Sequence, residues 1–150
     1  MSTTEDSRRV VAAFYEAVSA GDMAAVTAAF ADDVEVEVMG RSPISGRHVG
    51  REAFLANAMG PVIAALDPDS VELATTWEIF AAEGDRVVAR MTGKAASKSG
   101  KRYDNSYCQL FRIRDGQIAE MYEYLDTALL HDAIFDDNAS SGRDQSRRGA

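Results

Sequence analysis

The chain has 150 residues, of which 46 % are hydrophobic and 27 % charged, and its formal net charge is −8. That length supports one domain with its own apolar core, and the composition is ordinary for a globular protein. The acidic balance, with no basic cluster in the apolar-patterned part, excludes nucleic acid and anionic membrane as main partners.

In chain order, Thr4–Ala20 carries Val10, Val11, Phe14, Tyr15 and Val18 at helical spacing, with Thr3 and Thr4 as caps. Gly21-Asp22 ends that helix and opens another over Met23–Phe30, with Asp22 as its N-cap. Val34-Glu35-Val36-Glu37-Val38 alternates strictly and predicts a strand with its valines inward and both glutamates outward. Gly40 to Gly46 reads as loop, and Gly50–Leu66 as a helix interrupted at Gly60-Pro61. Val71–Phe80, which holds the single Trp77, and Arg86–Ala96 read as strands around the turn Glu83-Gly84-Asp85. Leu129–Phe135 predicts a short closing helix. The expected domain is 1–135, followed by a disordered polar tail over 136–150.

The densest stretch is Tyr103 to Thr127, where strands Tyr103–Ile113 and Gln117–Asp126 flank Arg114-Asp115-Gly116. Asn105, Tyr107, Gln109, Glu123 and Asp126 are more polarity than one outward face requires, so this hairpin is expected to wall a pocket. An exposed edge hairpin is the plainer alternative. Two registers are open. A two-residue loop pairs Tyr107 with Tyr124 and Asn105 with Asp126; a three-residue loop pairs Tyr107 with Glu123 and Gln109 with Met121. We favour the second, a type I turn closed by a left-handed Gly116. It puts Tyr122, Tyr124, Cys108 and Leu110 on the face opposite Glu123, which predicts a homodimer through that outer face.

Single Cys108 rules out an intrachain disulfide, and one Cys with the distant His48 and His131 offers no zinc spacing. No nucleotide motif appears either, so no metal and no cofactor are expected. The polar start MSTTEDSRR and the lack of a spanning apolar run predict a cytoplasmic protein without a membrane partner. Helices followed by a meander of long strands make the fold α+β. A curved antiparallel sheet wraps the N-terminal helices as a cone with an internal pocket.

FYEAVSAGDMAAVTAAFADDVEVEV, GRSPISGRHVGREAF and YDNSYCQLFRIRDGQIAEMYEYLDT together resemble the SnoaL-like branch of the nuclear-transport-factor-like (cystatin-like cone) superfamily, across roughly residues 8–130. The resemblance implies a dimeric cone. Its activities are diverse, including polyketide cyclases, ketosteroid isomerases, limonene epoxide hydrolases, dehydratases and non-catalytic binders. The isomerase tyrosine falls at Phe14, its base at Val38 or Glu37, and its second acid at Gln109. Of the hydrolase Asp–Arg–Asp set, Arg90 and Glu123 match, while Thr92 replaces the other Asp. Val36 and Val38 replace the pair that positions water. A cyclase carboxylate would be Glu123 or Asp126, with only His48 and His131 available as histidines.

The expected catalytic set is therefore Glu123 as general acid/base, Arg90 as its electrostatic partner, Asp126 and Tyr107. Asn105 and Gln109 would join Tyr107 in binding a substrate oxygen, and Trp77, Phe14, Val38, Met121 and Leu125 would line the pocket. Structural readings stand beside these: an ion pair for Glu123–Arg90, a helix cap for Asp126, cross-strand pairing for the amides. The function expected is cofactor-independent acid/base chemistry on a hydrophobic small molecule (cyclase, isomerase, dehydratase or epoxide-opening type); a binding protein with the same pocket is the alternative.

Overall fold

The computed structural model describes residues 3–136, so the expected disordered tail lies, after its first residue, outside the described residues. Thr3 caps α1 (Thr4–Ala20): its hydroxyl accepts from the Asp6 N–H, and Asp6 accepts in return from the Thr3 backbone. Gly21 ends α1 in the left-handed conformation, and Asp22 caps α2 (Met23–Ala29) by accepting from the Ala25 N–H at 3.0 Å. The two helices fold back on each other over a turn too tight for a longer linker.

Strand β1 (Phe30–Val38) buries Val34, Val36 and Val38 and turns Glu35 and Glu37 to the other face, as strict alternation requires. Antiparallel to it runs β2 (Gly46–Val49), which the sequence reading missed. Four residues are too few to display a period of two.

Helix α3 (Arg51–Phe54) continues through a π-helical turn, Leu55–Met59, into α4 (Gly60–Ala65). The expected interruption at Gly60-Pro61 is thus absorbed as a widened turn, in which the Gly60 N–H reaches back to the Leu55 carbonyl. A Cβ at position 60 would stand 2.7 Å from that oxygen, so only glycine fits. Then follow β3 (Glu72–Glu83), β4 (Arg86–Lys94), β5 (Asn105–Arg114), β6 (Gln117–Leu125) and α5 (Thr127–Leu130), which runs into a last π-helical turn, His131–Phe135.

The six strands form one curved, unclosed sheet in the order β2-β1-β6-β5-β4-β3. Every neighbouring pair is antiparallel except β1 and β6, which run parallel. Helix α1 packs on β3, β4 and β5. Its Val11, Phe14 and Tyr15 meet Phe30, Val36, Phe111 and Met121 in the buried core. The architecture is the α+β cone that the element order implied.

The β5–β6 hairpin follows neither anticipated register. Its loop is two residues, Asp115-Gly116, both at positive φ (51° and 74°), and Arg114 pairs with Gln117. A bulge then inserts Ala119, because Ile113 pairs with Ile118 while Arg112 pairs with Glu120. Beyond it Gln109 faces Glu123 and Tyr107 faces Leu125. The partners differ by two positions from the favoured register, so every side chain keeps the face assigned to it. Glu123 points inward, whereas Tyr122 and Tyr124 point outward beside Leu110 and Cys108. The helices leave that outer face uncovered, and Tyr124 is 48 % exposed. Among the described residues no helix is long and apolar enough to cross a membrane.

Candidate functional site

Between the concave sheet face and the helices lies a cavity of about 550 Å³, a volume suited to a small organic molecule. Phe14 from α1, Phe30 and Val38 from β1, Phe54 from α3, Met91 from β4 and Met121 and Leu125 from β6 wall it. The mouth is also apolar: Met23 and Ile63, both nearly half exposed, stand at its rim with Val71. Among the described residues, the polar side chains that reach the interior are Tyr103, Tyr107, Gln109 and Glu123.

Glu123 is the charged group of that interior. Its Oε2 accepts from the Gln109 amide nitrogen at 2.8 Å. Its Oε1 has no hydrogen-bond partner among the described residues, yet no fully buried side-chain oxygen or nitrogen there goes unpaired. Oε1 must therefore open on the cavity. Burial pushes the carboxyl above its ordinary value, and the Gln109 donor pulls it partly back.

Gln109 is 2 % exposed and held at its other end, where its Oε1 accepts from the Tyr15 hydroxyl at 2.7 Å. Burial, and then the Glu123 charge, raise the Tyr15 phenol, so Tyr15 remains a neutral donor. On β5, Tyr107 donates its hydroxyl hydrogen to the Tyr103 oxygen at 2.9 Å. Burial lifts Tyr103 to about 12 against the hydrogen bonds from Tyr107 and Asn105, and lifts Tyr107 further. Tyr103 accepts the Tyr107 hydrogen bond and lines the cavity, where its own O–H can donate to a ligand oxygen.

Other expected residues fall elsewhere. Arg90 stands exposed on the outer face, opposite Cys108 and Glu78, and cannot pair with Glu123. One residue along β4, Ala89 and Met91 take the inward positions, which is the consequence of strand alternation. Asp126 is exposed and caps α5, accepting from the Leu129 N–H at 3.0 Å. Asn105 is buried but clamps the chain beside that cap: it donates to the Asp126 carbonyl and accepts from the Asp126 N–H. It does not line the cavity. Trp77 stacks on Tyr15 with centroids 5.4 Å apart, behind the wall. His48 meets the Ile44 carbonyl and His131 is exposed. Glu37 lies on the outer side of β1, opposite Arg47 and Tyr122. Phe14, Val38, Met121, Leu125, Tyr107 and Gln109 do line the cavity.

Sequence reading missed Tyr103 and Tyr15. Tyr103 sits four residues before Tyr107, a spacing that puts both on one face of an extended chain, and it lies two residues ahead of β5. Tyr15 sits beside Phe14, and α1 buries both of these adjacent aromatics. Among the described residues no three His, Cys, Asp or Glu side chains converge as a metal-ligand set.

A half-wrapped cone with an apolar pocket and one inward carboxylate defines a class of small-molecule proteins. Residues 11–121 match the SnoaL-like domain family, and the chain belongs to that family. An NTF2-like protein from Burkholderia xenovorans LB400 shares the fold at TM-score 0.70 and 23 % identity, over 89 % of this chain and 99 % of that one. Bal32a, from a soil-derived mobile gene cassette, gives 0.68 and 26 % over 87 % and 98 %. A Pseudomonas putida KT2440 protein provisionally named a polyketide cyclase gives 0.65 and 25 % over 89 % and 98 %. No curated protein gives a significant match.

Proposed function

We propose that the protein is an acid/base enzyme for a small, mostly apolar molecule that carries a carbonyl or hydroxyl oxygen. The observation that carries this reading is the free Oε1 of Glu123, facing a cavity whose other walls are almost wholly hydrocarbon. In that setting burial raises the carboxyl above its ordinary value, a shift in the direction that favours proton transfer. Ionised Glu123 takes a proton from a carbon next to the ligand carbonyl. The electron pair of that C–H bond forms a C=C bond as the carbonyl π pair moves onto oxygen, to which the Tyr103 O–H, itself polarised by Tyr107, donates a hydrogen bond. Glu123 then returns the proton to another carbon, which is isomerisation, or to a departing hydroxyl, which is dehydration. Where the enolate carbon first attacks a second carbonyl of the same molecule, the proton goes to the new alkoxide and the result is ring closure.

The provisional name of the Pseudomonas neighbour agrees with cyclisation. Epoxide opening by an Asp–Arg–Asp set is not part of the proposal, because Arg90 is on the wrong face. We also place the protein in the cytoplasm as a homodimer joined through the outer face around Tyr122 and Tyr124.

A second reading, a binding protein, is favoured by one fact: among the described residues no cation and no second acid accompany Glu123 in the cavity. A panel of apolar ketones, enones and phenols separates the two. Turnover that collapses in Glu123→Gln supports the enzyme. Wild-type protein that binds members of the panel and changes none of them is a binder.

A further inference from the structure

We propose that Tyr15 is a positioning residue: it fixes the direction of the Gln109 amide and so decides which oxygen of Glu123 is presented to a ligand. The inference rests on the reading of Glu123 as the acid/base group. A glutamine amide has an accepting end and a donating end. With its Oε1 turned to the Tyr15 hydroxyl, at 2.7 Å, its Nε2 must face Glu123, at 2.8 Å. Oε2 is thereby occupied, and Oε1 is the atom left for chemistry.

The opposite amide orientation sets oxygen against oxygen at Glu123, which is tolerable only when the carboxyl is protonated. It also sets Nε2 against the Tyr15 oxygen and strands the phenolic hydrogen. Tyr15 has nowhere else to send it. The residue is 0 % exposed, stacked on Trp77 and met edge-on by Phe111 at 6.0 Å. A stranded buried donor is costly, so the tyrosine selects the orientation that suits ionised Glu123. This also gives Trp77 a role from outside the cavity, since its ring backs the one that aims the hydroxyl.

The groups around Glu123 leave that relay unopposed. Tyr15 faces it from α1, Gln109 and Tyr107 from β5, Tyr103 from the chain ahead of β5, and the apolar Val38 from β1. Phe54 of α3 and Met59 of the following turn line the same space and carry no charge. Within the cavity, Gln109 is the only side chain that hydrogen-bonds the carboxylate among the described residues.

The test is a carbon-13 NMR titration of the full chain labelled at glutamate carboxyls, with Glu123→Gln identifying the resonance. Tyr15→Phe frees the amide to rotate, so the midpoint of Glu123 rises and its protonation constant increases about three- to tenfold, the worth of one net hydrogen bond. Difluorotyrosine at position 15, a stronger donor of the same shape, moves the midpoint down and answers the question if Tyr15→Phe does not fold. A midpoint unmoved by either change overturns the proposal. Turnover reports separately. If the midpoint moves while Glu123→Gln leaves turnover intact, the relay stands and the catalytic reading falls; the reverse pattern keeps catalysis and removes the relay.

Discussion

Gln109 and Glu123 stand directly opposite each other on β5 and β6, with the amide nitrogen donating to one carboxyl oxygen at 2.8 Å. One donor is a modest reward for placing a carboxyl in a cavity of aromatic and aliphatic side chains. An ion pair would offset far more of the desolvation cost, and among the described residues none is provided. On the proposed reading of Glu123, the arrangement sacrifices stability to keep an oxygen reactive.

That sacrifice predicts a pH signature. The folded chain holds the Glu123 proton above the ordinary value of 4.5, where the unfolded chain has released it. The resulting stabilisation is complete below the ordinary value and is lost as pH rises through the folded midpoint. Glu123→Gln does not undergo this loss. Its Tm should exceed that of the wild type at about pH 8, and the gap should close by about pH 4. Thermal melts across that range check it.

The two tyrosines ahead of the turn should differ in effect. Tyr103→Phe removes the donor offered to a ligand oxygen and should lower kcat by about 10²–10³-fold, as the loss of one oxyanion donor does. Tyr107→Phe removes only its polarising neighbour, and its loss should be smaller. Kinetics on any substrate found by the panel rank them.

Arg90 and Asp126 serve as controls. Arg90→Ala alters an exposed outer-face residue, and should leave turnover unchanged and stability within about 0.5 kcal/mol. Asp126→Ala removes the α5 cap and should cost about 1 kcal/mol in denaturant unfolding, without the pH signature of Glu123→Gln.

If the outer face joins two copies, a charge there should part them. Tyr124→Asp places a carboxylate among Tyr122, Leu110 and Cys108, and sedimentation should show a monomer where the wild type sediments as a dimer.

The cone was legible because its signals are local and periodic: the alternating valines of β1, the Gly21-Asp22 helix junction, the Asp-Gly turn. The inward direction of Glu123 was read correctly through two errors that cancel, a loop one residue too long and an unseen bulge at Ala119. A trace of the bulge was present. Ile118 and Met121 are both core residues three apart, which strict alternation forbids. Arg90 and Asn105 were misassigned for a different reason. Spacing shows that a residue type is available, but whether it meets Glu123 depends on strand faces and on the path of the chain after β6. Tyr103 shares the face of Tyr107 by alternation and was legible there, whereas Tyr15 is legible only once α1 and β5 are brought together in space.

The central claim is that Glu123 moves protons on a bound ligand. Hydrogen–deuterium exchange at carbons next to the carbonyl tests it directly: apolar ketones are incubated with the protein in D₂O and followed by proton NMR. The account predicts exchange catalysed by the wild type and slowed at least about 10²-fold in Glu123→Gln. Equal exchange in the two proteins, or tight binding of the ketones with no exchange above background, would contradict it.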